Sequence, residues 1–86
     1  MAKKYDKELK TIFLEYKRSL VNDNITYSQR IEKILTLLGE TKSKILYGKY
    51  VQNISMTYLS INLNLNRSYL YKLLDDAQEE FLELYN

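Results

Sequence analysis

Apolar residues recur along this chain at helical spacing. Leu9, Ile12, Phe13, Tyr16 and Leu20 follow at intervals of three, one, three and four, with Tyr5 just ahead of them. Such a stripe predicts a helix over roughly 4–21, with Lys7, Lys10, Lys17 and Arg18 off the buried face. Val21-Asn22-Asp23-Asn24 ends it with turn-favouring residues. Thr26-Tyr27-Ser28-Gln29 has the form of a capping box, with Ser28 as an alternative cap. Ile31, Ile34, Leu35 and Leu38 then continue a second helix over roughly 26–38. Gly39 follows at the position of a left-handed C-terminal cap. Thr41 or Lys42 is expected to open a third helix, roughly 42–52, carrying Ile45, Leu46, Tyr50 and Val51 inward. Gln52-Asn53-Ile54 breaks the pattern. Tyr16, Tyr47 and Tyr50 are expected in the core or at its edge.

Residues 55–81 carry the most informative pattern. A short helix over roughly 56–63 places Leu59 and Leu63 inward, with the small Ser60 beside them allowing close approach. Leu63-Asn64-Leu65 makes the turn, and Asn64 suits a left-handed backbone. Asn66 is a strong N-cap for a long helix over roughly 67–84. Its predicted inner face holds Leu70, Leu73, Leu74, Ala77, Phe81 and Leu84. Two helices joined by a tight turn, the second capped and opening on Arg67, form the pattern of a helix-turn-helix.

Composition narrows the class. With 86 residues, no proline and only Gly39 and Gly48 as glycines, the chain has few turn-formers for a sheet protein. The expectation is all-α: one compact five-helix domain over 1–86, with an N-terminal helical pair at 1–40. A helix-turn-helix segment with its long C-terminal helix follows at 42–86. Cysteine and histidine are absent, which excludes disulfides, Cys/His zinc sites and histidine-based nucleophile activation. The carboxylates Glu15, Glu32, Asp75 and Asp76 show no spacing that suggests acid–base or metal chemistry. No catalytic residue, metal or cofactor is expected. The lysines near Met1 are not followed by an apolar run, and no segment has the ~18 apolar residues of a membrane span. A cytoplasmic protein without membrane contact is expected.

Charge is segregated although the net value is only +2. Residues 1–44 are basic on balance, with Lys3, Lys4, Lys7 and Lys10 leading. Residues 45–74 hold Lys49, Arg67 and Lys72 and no acid. Residues 75–86 hold Asp75, Asp76, Glu79, Glu80 and Glu83 and no base. At about 100° per residue, Ser68, Lys72 and Asp75 point outward, with Tyr69, Tyr71 and Asp76 on the flanks and Arg67 at the exposed start. In a helix-turn-helix these first turns meet DNA. Arg67 can pair with guanine or clamp a phosphate, and Ser68 can bond either. Tyr69 and Tyr71 can reach the backbone, sugars or thymine methyls, and Lys72 a phosphate. Asp75 and Asp76 would repel phosphate and confine contact to those turns. Asp75, Asp76, Glu79, Glu80 and Glu83 are candidates for a protein partner. The plainer reading is a helical bundle whose turn is ordinary and whose exposed charges are solvated.

The segment Lys44 to Ser55 followed by this motif resembles the minus-35-reading domain, region four, of bacterial sigma factors. It is closer to the small phage late-gene activators of the ArpU and RinA type. The matching features are the apolar, aromatic-rich Ile45 to Val51, the serine-led helix Ser55 to Leu63, the capped basic start Asn66-Arg67, and Ala77 with Phe81 four later. Asn64 stands where the family usually has glycine, and the end of the last helix is acidic where sigma domains are basic. The resemblance implies a small transcription regulator that reads the major groove of double-stranded DNA. RNA polymerase or another protein would be a second partner, and a homodimer is a further option. The rival expectation is a protein-binding helical module that does not read DNA, such as an inhibitor or a polymerase-binding factor.

Overall fold

Stripes of apolar residues become the inner faces of helices, and the breaks between them become caps. The computed structural model describes residues 3–86. Its helices are α1 (Lys3–Val21), α2 (Ile25–Leu38), α3 (Glu40–Leu46), α4 (Met56–Asn62) and α5 (Arg67–Tyr85). A π-helical turn, Tyr47–Val51, continues α3. Among the described residues there is no strand, and no helix is long and apolar enough to cross a membrane. The radius of gyration, 12.5 Å, is close to the ~12 Å expected of a folded chain this long.

The core forms where α5 packs against α1, α2 and α3. Leu9, Ile12, Phe13 and Tyr16 of α1 meet Ile31, Ile34, Leu35 and Leu38 of α2, as their spacing requires. Phe13 is the hub. Its ring lies 5.2 Å from that of Phe81 and stacks on Tyr50 at 5.5 Å. Leu20 departs from the predicted stripe and is 49% exposed. Ser19 is buried in its stead, its hydroxyl donating to the Tyr16 carbonyl at 2.6 Å. Tyr47 lies at the surface rather than in the core.

Capping differs from the sequence reading in two places. Asn24, not Thr26 or Ser28, caps α2, its side chain accepting from the Tyr27 amide at 3.3 Å. The reason is the left-handed Asp23 (φ 57°), which turns the chain early and starts the helix at Ile25. Ser28 is inside the helix, where its hydroxyl donates to the Ile25 carbonyl. Gly39 does take a positive φ, 93°, but with ψ 164° it lies outside the usual left-handed basin, in a region essentially reserved for glycine. It ends α2 and precedes α3 at once, so α3 opens at Glu40 rather than at Thr41 or Lys42.

The third helix is also not uniform. After Leu46 it widens into the π turn, closed by the Gln52 amide donating to the Tyr47 carbonyl at 3.0 Å. Gly48 is buried there against Leu59, and an added Cβ would come within 2.8 Å of a Leu59 methyl. Glycine thus lets α4 seat directly on the turn. The buried face of α5 is rotated from the predicted one. Gln78 and Leu82 are buried and Asp75 half-buried, while Leu73 is only half-buried and Leu84 is 48% exposed. Packing on α3 and the π turn draws the helix towards that side.

Candidate nucleic-acid interface

The segment from α4 to α5 is built from short-range bonds that its sequence specifies. Ser55 caps α4 by accepting from the Tyr58 amide at 3.1 Å. Leu59 is buried, and Leu63 and Leu65 pack half-buried against the core. The turn is closed by the Asn64 amide on the Ile61 carbonyl (3.2 Å) and the Leu65 amide on the Ser60 carbonyl (2.9 Å). Asn64 sits at φ 57°, the left-handed conformation its side chain tolerates. Asn66 then caps α5, accepting from the Tyr69 amide at 2.8 Å. The remaining free amides of the first turn leave partial positive charge at this end of a 19-residue helix.

Arg67, Ser68, Tyr69, Tyr71 and Lys72 are all exposed along the first turns of α5. Arg67 and Tyr71 come together: the guanidinium donates to the Tyr71 hydroxyl at 3.3 Å and lies 5.7 Å from its ring centre. It also donates to the Thr57 hydroxyl of α4 at 3.0 Å. These bonds hold the guanidinium across the α4–α5 junction. Tyr69 points to the other flank, beside Leu38, Gly39 and Leu73 in a shallow cleft of about 390 Å³.

Three surface residues escaped the sequence reading. Thr57 positions Arg67 from ten residues upstream, a distance at which periodicity says nothing. Tyr58 and Ile61 are 56% and 73% exposed on α4. Their signal was present, since both lie off the Leu59–Leu63 face.

The acidic end of α5 is more engaged with its own chain than expected. Glu80 pairs with Lys42 of α3, and Glu79 accepts from the Tyr5 hydroxyl at 3.4 Å. The hydrogen bond to Glu80 holds Lys42 above the usual lysine range. Asp75 is half-buried rather than outward, because α5 is rotated as described. Asp76, Glu79 and Glu83 are exposed, and Glu80 is half-buried. The side chains of Lys3 and Lys4 lie outside the described residues.

Behind this surface, a buried polar chain ties three elements together. The Tyr50 hydroxyl donates to Asp6 at 2.7 Å and accepts from the Gln78 amide at 2.6 Å. Lys10 and Lys49 approach the same carboxylate at 3.1 and 3.9 Å. Burial alone would raise the Asp6 pKa. The hydrogen bonds from Tyr50 and Lys10 and the nearby lysine charges outweigh that and hold it below its ordinary value. Burial, reinforced by hydrogen bonding to Asp6, pushes Tyr50 up. Tyr16 and Tyr27 are likewise pushed up by burial, with Glu32 and Tyr85 as their respective hydrogen-bond partners. Among the described residues, no group of three or more carboxylates stands close enough to hold a metal ion.

No protein-family model matches the chain, and neither the curated proteins nor the solved structures yield a match.

Proposed function

We propose that the chain is a small, cytoplasmic DNA-binding transcription regulator in the manner of sigma region four. Its α4–turn–α5 segment would act as a helix-turn-helix, with the first turns of α5 in the major groove. The observation that carries this reading is the exposed, acid-free start of α5, where Arg67 is held by Thr57 and Tyr71 beside free helix amides. Positive partial charge, a planar donor fork and flanking hydroxyls are what a phosphate or a guanine edge requires. Arg67, Ser68, Tyr69, Tyr71 and Lys72 are the proposed contacts. RNA polymerase or a second subunit would meet the exposed acids of α5, Asp76, Glu79 and Glu83.

Fluorescence titration against a randomised duplex pool, then against selected sequences, at several salt concentrations tests this. Lys72→Ala should weaken binding to all sequences and lower the salt slope by about one unit. Arg67→Ala should cost about 1–3 kcal/mol, and more of its effect should fall on selected sequences. Absence of binding to any duplex at low salt would sink the proposal.

One observation favours a second reading, a helical module that binds protein alone. Tyr58 and Ile61 expose apolar surface on α4, and aromatic residues are enriched in protein interfaces. A stoichiometric partner retained from host lysate after nuclease treatment, with no duplex binding, would select that reading.

A further inference from the structure

A second basic surface lies outside the α4–α5 segment. Lys10, Leu14 and Lys17 follow at spacings of four and three and share one face of α1. Opposite them stand Lys49 and Tyr50 of the π turn and then Asn53, and the two sides enclose a cleft of about 230 Å³. Asn53 is held in a left-handed conformation at φ 56°. The acid bonded to the lining lysines is Asp6, whose carboxylate is shared among Tyr50, Lys10 and Lys49. Three ammonium groups against one carboxylate leave the cleft positive, and Lys17 forms no ion pair among the described residues.

We infer that this cleft is an anion site for a phosphate group, with Lys10, Lys17 and Lys49 supplying charge and Asn53 an amide donor. Lysines bind phosphate as mobile point charges and need no planar fork. The source of the phosphate follows from position and rests on the DNA-reading proposal. Asn53 precedes Thr57 by four residues, so their Cα atoms lie at most about 14 Å apart. Thr57 holds Arg67. That span equals about four base steps of one strand at 3.4 Å each. A duplex engaged by Arg67 is thus the nearest candidate source of the phosphate, and the salt slope tests whether its backbone enters the cleft.

The test compares the wild type with Lys17→Gln, Lys17→Arg and Lys33→Gln, the last an exposed lysine on α2 away from the cleft. On a duplex that binds, Lys17→Gln should lower the slope of log affinity against log salt by about one unit. Lys17→Arg and Lys33→Gln should leave the slope as it is. An unchanged slope in Lys17→Gln overturns the inference and leaves the α5 reading head standing. If the wild type binds no duplex, the reading head fails by itself, and an NMR titration with inorganic phosphate decides the cleft. Saturable shifts at the amides of Lys17, Lys49 and Asn53, absent in Lys17→Gln, assign it to free phosphate. Lack of saturable shifts overturns it.

Discussion

Tyr50 shows how much one hydroxyl can organise. It donates to Asp6 and accepts from Gln78, so α1, the π turn and α5 meet at a single oxygen. Tyr50→Phe keeps the ring stacked on Phe13 but leaves the buried Gln78 amide and a half-buried carboxylate oxygen without that partner. Leaving buried polar groups unsatisfied typically costs about 1–3 kcal/mol, which urea denaturation should report as a lower midpoint at unchanged slope. A loss under half a kcal/mol would mean that the oxygen is readily replaced by water. Some residue roles were legible in the sequence because they are local. Asn64 and Asn66 act through their own backbone or an amide three residues on, and both do what their types predict. The Asp6–Tyr50–Gln78 chain was not legible, because its members are brought together only by packing. The cap of α2 was misread because three residues of suitable type compete there, and the left-handed Asp23 decides among them.

Helices were easier to read than their phases. The spacing of apolar residues marked every helix, yet it could not show that α3 ends in a π turn or that the inner face of α5 is rotated towards Gln78 and Leu82. Both effects arise where elements press on one another: α5 turns towards α3 and the Tyr50 hydroxyl, and the π turn meets Leu59 of α4 at Gly48. Gly48→Ala would drive a Cβ to 2.8 Å from a Leu59 methyl. Either Leu59 changes rotamer or α4 lifts from the turn, at an expected cost of about 1–3 kcal/mol, measurable by thermal or chemical unfolding. Hydrogen exchange should show the loss concentrated in α4, a seven-residue helix with few bonds of its own. The same variant should weaken DNA binding under the proposed function, because α4 carries the Thr57 that holds Arg67. Little of the candidate surface was hidden at this scale: all five proposed α5 contacts are exposed, and what the sequence lacked was Thr57 behind them.

Across the whole molecule, charge is arranged as a lock that fastens each end of the chain to its middle. Asp6 fastens the start of α1 to the π turn, and Glu80 fastens α5 to Lys42 of α3. Asp6 has a folded-state pKa below its unfolded value of 3.8. The unfolded chain therefore binds more protons in that window, and stability rises with pH through it. The contribution is present above about pH 4 and fades as pH falls towards the folded value. Asp6→Asn should be less stable at pH 7 and should unfold with a shallower dependence on acid, a comparison that circular dichroism between pH 7 and 2 can make. Equal acid slopes would remove Asp6 from the lock. At the alkaline end, the hydroxyls of the buried Tyr16 and Tyr50 and the half-buried Tyr27 make the fold its own optical gauge. The chain has no tryptophan to mask them, and burial withholds their ionisation. Phenolate absorbance recorded while the pH is raised past 10 should therefore show a late component. That component should appear together with loss of helical circular dichroism, so one ultraviolet trace would report when the interior opens.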